Sequence, residues 1–224
     1  MNRTYSLVWN RRLNQWVAAS ELARSCGMSG SGHVRSGVAA ALLALAVAGP
    51  AAAADLAPGA LPTGGTVAAG QAAITTSSNR LDVAQGSQRA IINWQGFDIG
   101  SQAQVNFAQP NSSAVALNRV SGPTATRIEG QLSANGQVFL VNPNGVLFGG
   151  GARVNVGGLV ASTLNIRDAD FLAGNYSFSG SGGSIENQGT INAAPGGYLA
   201  FIAPKITNSG TINAPQGTVA MGAG

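Results

Sequence analysis

Apolar residues in this chain come in short runs. Beyond residue 70 they fall at 73–76, 90–94, 104–107, 114–120, 138–141, 146–148, 153–156 and 159–164. Gly, Asn, Ser and Pro separate them. Several runs alternate apolar with polar, the period of a strand with one buried face. No long stretch carries the 3.6-residue apolar period of a helix. Many short strands with dense turns predict an all-β domain. One short helical turn is expected near 168–173.

A repeat narrows the architecture. Residues 185–196 read IENQGTINAAPG and residues 206–217 read ITNSGTINAPQG. The offset is 21 residues, and eight of the twelve aligned positions are identical. A period near 20 marks a solenoid. No helix-forming segment fits within it, and no leucine-rich pattern appears. The spacing therefore predicts a parallel β-helix of about 20-residue coils, roughly seven of them. Ile185 and Ile206, and Ile191 and Ile212, should stack inward. Asn187 and Asn208 should form a ladder at a corner.

The N-terminus follows another pattern. Arg35 precedes an eleven-residue apolar run, 38–48, which Gly49 and Pro50 break. Small residues follow, with cleavage expected between Ala54 and Asp55. Basic region, short apolar core and small-residue site make a secretory signal read by the Sec machinery and signal peptidase. The run is shorter than the roughly 20 residues a membrane span needs. Residues 1–54 thus read as a removable signal, and 55–70, rich in Pro, Gly and Ala, as a linker or a poorly structured N-terminal start. Residues 71–224 read as the β domain. No capping segment is visible in the pattern near residue 224, so a truncated module of a longer protein is expected.

The signal changes how composition reads. The chain carries 12 Lys+Arg against 8 Asp+Glu, a net +4. Arg3, Arg11, Arg12, Arg24 and Arg35 against Glu21 supply all of it. From Asp55 onward seven cations and seven carboxylates balance and are scattered. That excludes the clustered cations of a nucleic-acid surface. Cys26 and His33, the only Cys and the only His, lie within the signal. The mature chain therefore has no disulfide and no His or Cys nucleophile or metal ligand. No cofactor and no metal site is expected. Asp168 and Asp170 are the best-spaced carboxylate pair for glycan cleavage. They also stand at a helix start, where Asp caps. The chain reads as a non-enzyme.

The central block, residues 137–166, reads QVFLVNPNGVLFGGGARVNVGGLVASTLNI. Its centre is Asn142-Pro143-Asn144-Gly145. Pro fixes φ at the second turn position, Asn at the first can bond the backbone two residues on, and Gly allows a tight exit. Locally this is a strand–turn–strand corner.

In context the block resembles the secretion domain of two-partner secretion exoproteins of the filamentous haemagglutinin type. NPNGV at 142–146 stands where that family has its NPNG-I motif. IINWQGF (91–97), LNRV (117–120) and PGGYLAFIA (195–203) are similar to it as well. The family's NPNL element has no clear counterpart; Gln109-Pro110-Asn111-Ser112 departs from it. The first 24 residues resemble the extended signal peptide of large Gram-negative secreted proteins, through Met1-Asn2-Arg3, Tyr5, Val8-Trp9-Asn10, Trp16-Val17-Ala18 and Ser20-Glu21-Leu22. The resemblance implies a right-handed parallel β-helix with small extra-helical β elements. It implies a partner, an outer-membrane barrel transporter with POTRA domains that receives the unfolded chain in the periplasm. Folding at the cell surface would follow. Asn142, Pro143, Asn144 and Gly145 become the candidate recognition residues, with Asn93, Trp94 and Asn118 behind them. Turn chemistry alone would select the same four residues. An adhesin that binds host cells or glycans directly is the alternative.

Overall fold

The computed structural model describes residues 3–10, 15–20 and 55–223, with side chains for 55–223. The apolar run 38–48, Cys26, His33 and Ala54 of the expected cleavage site lie outside the described residues. Within the signal, β1 (Arg3–Asn10) and β2 (Gln15–Ser20) are strands.

The stretch 55–70, expected as a linker or a poorly structured start, is built into the domain. It holds β3 (Thr66–Ala69), and Leu61 packs on the core. Thr63 N and O bond Gly96 O and Gln95 N, both at 2.9 Å. Its Pro and Gly residues serve tight turns here rather than a flexible tether. β3 runs antiparallel to β6 (Arg89–Trp94), and β4 (Ala72–Ser77) antiparallel to β5 (Arg80–Gln85).

From β5 onward the chain winds as a parallel solenoid of about seven turns, with coils near 22 residues. β7 (Gln104–Ala108) stacks on β5, and β8 (Val115–Val120) on β6. The next coil is β9 (Thr126–Ile128), β10 (Gln131–Ala134) and β11 (Gln137–Val141). Then come β12 (Val146–Phe148), β13 (Arg153–Val156) and β14 (Gly158–Ser162). An excursion follows: β15 (Asn165–Ile166), α1 (Asp168–Ala173) and β16 (Ser177–Gly180). Two coils follow it. One is β17 (Ser184–Asn187), β18 (Thr190–Ala193) and β19 (Tyr198–Ala203); the other is β20 (Lys205–Asn208), β21 (Thr211–Asn213) and β22 (Thr218–Ala223).

Three parallel faces result, and residues two apart on each strand point the same way. On one face Leu81, Val105, Leu132, Val154, Ile191 and Ile212 form a continuous inward column. The expected stacks of Ile185 on Ile206 and Ile191 on Ile212 are present. So is the Asn ladder: Asn187 Nδ2 donates to Asn208 Oδ1 at 2.7 Å across 21 residues. Asn187 is fully buried. Its carboxamide therefore lies inside the solenoid wall, where every polar atom needs a partner, while Asn208 is exposed.

The face of β6, β8, β11, β14 and β19 is apolar on both sides. Its outer side carries Ile91, Leu117, Phe139, Val160 and Ala200, which the 163–183 excursion covers. Phe171 and Tyr176 meet Phe139 edge-on at centroid distances of 5.8 and 4.7 Å. α1 matches the helical turn expected at 168–173; Gly174, at φ 82°, ends it. β1 adds antiparallel to β16, pairing Arg3 with Gly180 and Ser6 with Ser177, and β2 pairs with β1.

Candidate functional site: the NPNG corner

The four motif residues turn the chain from β11 into β12. Gly145 N donates to Asn142 O at 3.1 Å, which closes the turn. Asn142 Oδ1 accepts from Asn144 N at 2.9 Å, the side-chain turn expected of an Asn in this position. The other half of that carboxamide reaches the previous coil. Asn142 Nδ2 donates to Thr124 O and to Thr126 Oγ1, both at 3.0 Å. Asn142 is fully buried, and no polar atom of its side chain is left unpaired.

Each of the other three residues also bonds an adjacent coil. Pro143 O accepts from Gly183 N at 2.7 Å, where the excursion re-enters the solenoid. Asn144 Nδ2 donates to Gly122 O at 2.8 Å. Gly145 O accepts from Thr126 N at 3.0 Å. Gly145 sits at φ 125°, a region closed to residues with a Cβ. A Cβ there would also lie 3.1 Å from Ser184 O. Pro143 and Asn144 are exposed, whereas Asn142 and Gly145 are buried. The motif thus divides into two anchors and two surface residues.

Asn93, Trp94 and Asn118 lie on the strands that lead to this edge. Trp94 is 1% exposed, and its Nε1 donates to Asn118 Oδ1 at 3.0 Å. Asn118 Nδ2 reaches Ala116 O and Phe139 O at 3.3 and 3.4 Å. Trp94 and Asn118 therefore bind three successive coils from inside. Asn93 Oδ1 is buried without a partner. In the folded domain both the Trp94 and the Asn118 side chains are buried and bonded within the solenoid.

Two clusters were not singled out from sequence. Gln109 begins the segment that departs from NPNL, and its amide is the hub of another corner. Its Nε2 bonds Gln85 Oε1, Ala114 O and Gln137 O at 3.1–3.2 Å, and its Oε1 accepts from Gly136 N at 3.1 Å. The signal for it was a polar residue ending an apolar alternation, one coil above Asn135. The second is Arg119. Its Nη2 reaches Asp168 Oδ1 and Ile166 O, both at 2.7 Å, and its Nε donates to Asn165 Oδ1 at 3.1 Å. That fastens the excursion to the solenoid.

The carboxylates have structural work. Asp168 pairs with Arg119, and Asp170 faces Arg167 at 3.8 Å. Burial raises the carboxyl of Asp98 above its usual range. The Arg127 backbone N–H, which donates to Asp98 Oδ1 at 2.7 Å, and the Arg127 charge oppose that shift. Burial likewise holds the Tyr198 phenol well above its usual range, and its hydroxyl donates to Gln137 Oε1 at 2.8 Å.

Comparison with known proteins agrees in two regions. A family profile described as the TPS secretion domain matches residues 59–224. One described as the extended signal peptide of the type V secretion system matches residues 1–50. A heme/hemopexin-binding protein of Haemophilus influenzae is 45% identical over 104 residues, 46% of this chain and 11% of that protein. Its counterpart from strain Rd is 44% identical over 106 residues, 47% of this chain and 12% of that protein. The chain thus spans about an eighth or less of those relatives' length. Among solved structures, the HMW1 secretion domain from Haemophilus influenzae superposes with a TM-score of 0.69 at 33% identity. The match covers 73% of this chain and 45% of that one.

Proposed function

The chain belongs to the TPS secretion domain family, and from that premise we propose that it delivers a larger exoprotein to a POTRA-bearing outer-membrane transporter and starts β-helix folding at the cell surface. It is a secretion-targeting module with an extended signal peptide, exported in a Gram-negative cell through the periplasm to the surface. Such a module implies an outer-membrane transporter and processing by the Sec pathway. The family and the solenoid fold are of a non-enzymatic kind.

One observation carries the folding half of the proposal. Each coil stacks in parallel register on the one before it. Antiparallel β3 and β4 close the N-terminal side of the stack. Ile206, Ile212, Val219 and Met221 stand in register with buried Ile185, Ile191, Leu199 and Phe201 of the preceding coil. Each coil added buries what the previous one left open. Growth from the closed N-terminal side toward the C-terminus is the order in which a threading chain would emerge. Burial on the far side would draw the chain outward without nucleotide hydrolysis.

For recognition we assign the NPNG corner, read by the transporter in the unfolded chain, with Asn93, Trp94 and Asn118 as secondary contacts. The test uses the exposed pair. Pro143→Ala with Asn144→Ala leaves both anchors in place, so folding should survive. Secretion through the cognate transporter should fall about tenfold or more. Normal secretion of a folded double variant would remove recognition from these residues. Asn142→Ala or Gly145→Ala cannot make that distinction, because each damages the corner itself. Heme and hemopexin do not enter the proposal: the matched segment is a small part of those relatives, and from Asp55 onward this chain has no His or Cys.

A further inference from the structure

We propose that the Asn144–Gly145 bond is a folding-gated deamidation site, silent in the folded corner and reactive in the unfolded chain. The two halves of the reaction are adjacent in sequence. The Gly145 nitrogen attacks Asn144 Cγ, a C–N bond forms, and Nδ2 leaves as ammonia with the displaced proton. The resulting succinimide takes up water at either carbonyl and opens to aspartate or isoaspartate. No oxidant or cofactor is needed. Gly in the second position removes the side chain that would hinder the attack.

The fold withholds both reacting groups. Gly145 N is buried and donates to Asn142 O at 3.1 Å. The Asn144 carboxamide is turned away, with Nδ2 on Gly122 O at 2.8 Å and Asn142 Oδ1 at 3.3 Å. The chain has a second Asn–Gly pair, Asn135–Gly136, and the fold closes it in a related way. Asn135 Oδ1 accepts from Gln109 N at 2.7 Å, and its Nδ2 donates to Gln109 O at 2.8 Å. Gly136 N is buried on Gln109 Oε1. At both sites the Asn is exposed, and the nucleophile beside it is buried and bonded.

The product cannot rebuild the corner. Aspartate at 144 would set a charged acceptor against Gly122 O and Asn142 Oδ1, where two donations now stand. Isoaspartate adds a methylene to the backbone of a turn closed by one 3.1 Å bond. Deamidation therefore retires chains that stay unfolded too long. This consequence rests on the unfolded passage proposed above; the gating does not.

The experiment incubates the purified 224-residue chain in H2-18O, folded or in denaturing urea, at one pH and temperature. Peptide mass mapping reads label at residues 144 and 135. Both should react in urea and at least about tenfold more slowly when folded. Gly145→Ala in urea should slow residue 144 alone. Equal rates in the two states would overturn the gate, and no label at 144 in urea would overturn the site. Asn144→Asp, refolded beside Asn144→Ala, tests the consequence: it should show the lower urea midpoint, and equal midpoints would refute it. None of these readouts needs the transporter, so a failed secretion proposal leaves them interpretable.

Discussion

Asn142 and Asn144 are two residues apart and chemically identical, but their carboxamides meet different surroundings. Asn142 is buried and bonds the buried Thr126 hydroxyl, and Ala in its place would leave that hydroxyl, with Thr124 O and the Asn144 N–H nearer the surface, without the carboxamide. Buried groups left unpaired cost about 1–3 kcal/mol each, so Asn142→Ala should lower stability by about 3 kcal/mol. Asn144→Ala loses one exposed bond and should cost about 1 kcal/mol or less. Urea midpoints of the two variants measure the contrast, and similar losses would show that burial does not set the value of these bonds. Asp98 gives a residue-scale prediction with a sign. Its folded-state carboxyl lies above the unfolded value because burial disfavours the charge. The folded state therefore binds the proton more tightly, and stability falls as pH rises through the folded value. Asp98→Asn keeps an acceptor for Arg127 N and removes the charge. It should be at least as stable as the parent at neutral pH, with a flatter stability profile above the carboxylate range. A variant that loses stability at neutral pH would mean the Arg127 charge outweighs burial. Sequence showed that a turn stood at 142–145. It did not show which of the four residues faced inward, because that depends on Thr124, Thr126 and Gly122 of the coil before.

At the scale of elements, the short strands and the helical turn were legible because apolar alternation and turn residues mark them locally. Two coils were legible as a repeat, since Ile185–Ile206 and Asn187–Asn208 recur at one spacing. The earlier coils were not. Their corners differ in length, and the 163–183 excursion breaks the period between Val154 and its stacking partner Ile191. The excursion covers an apolar outer face, so the strands beneath it lost the alternation that would mark a solvated side. The order within 55–70 was not legible for a related reason: its Gly and Pro residues make turns that only the neighbouring strands reveal. Arg119 is the excursion's polar fastening, joined to Asp168, Asn165 and Ile166 O. Arg119→Met keeps the stem and removes the fastening. It should speed proteolysis within 165–176 several-fold while the global urea midpoint moves by less than that of Asn142→Ala, since local opening and global unfolding are separate events. If protease sensitivity there is unchanged, aromatic packing of Phe171 and Tyr176 on Phe139 holds the segment alone.

For the whole molecule, the charge balance, the signal and the repeat agree on one picture: a neutral solenoid exported without disulfides. What sequence could not supply was the closure of the solenoid's N-terminal side, which comes from antiparallel pairing at β3 and β4. If coil-on-coil burial drives growth, the value of an isoleucine should depend on its coil. Ile191 is fully buried between neighbours, whereas its repeat partner Ile212 is only partly covered. Ile191→Ala should therefore cost about 3–4 kcal/mol and Ile212→Ala about half as much. Appending one further copy of residues 205–223 after Ala223 should then raise the cost of Ile212→Ala toward that of Ile191→Ala. It should also bring the backbone amides of β20, β21 and β22 to the exchange protection of β17, β18 and β19. Thermal unfolding and hydrogen exchange read both effects. An added coil that leaves Ile212 and its strands unchanged would mean that one coil does not template the next, and directional folding would need another source.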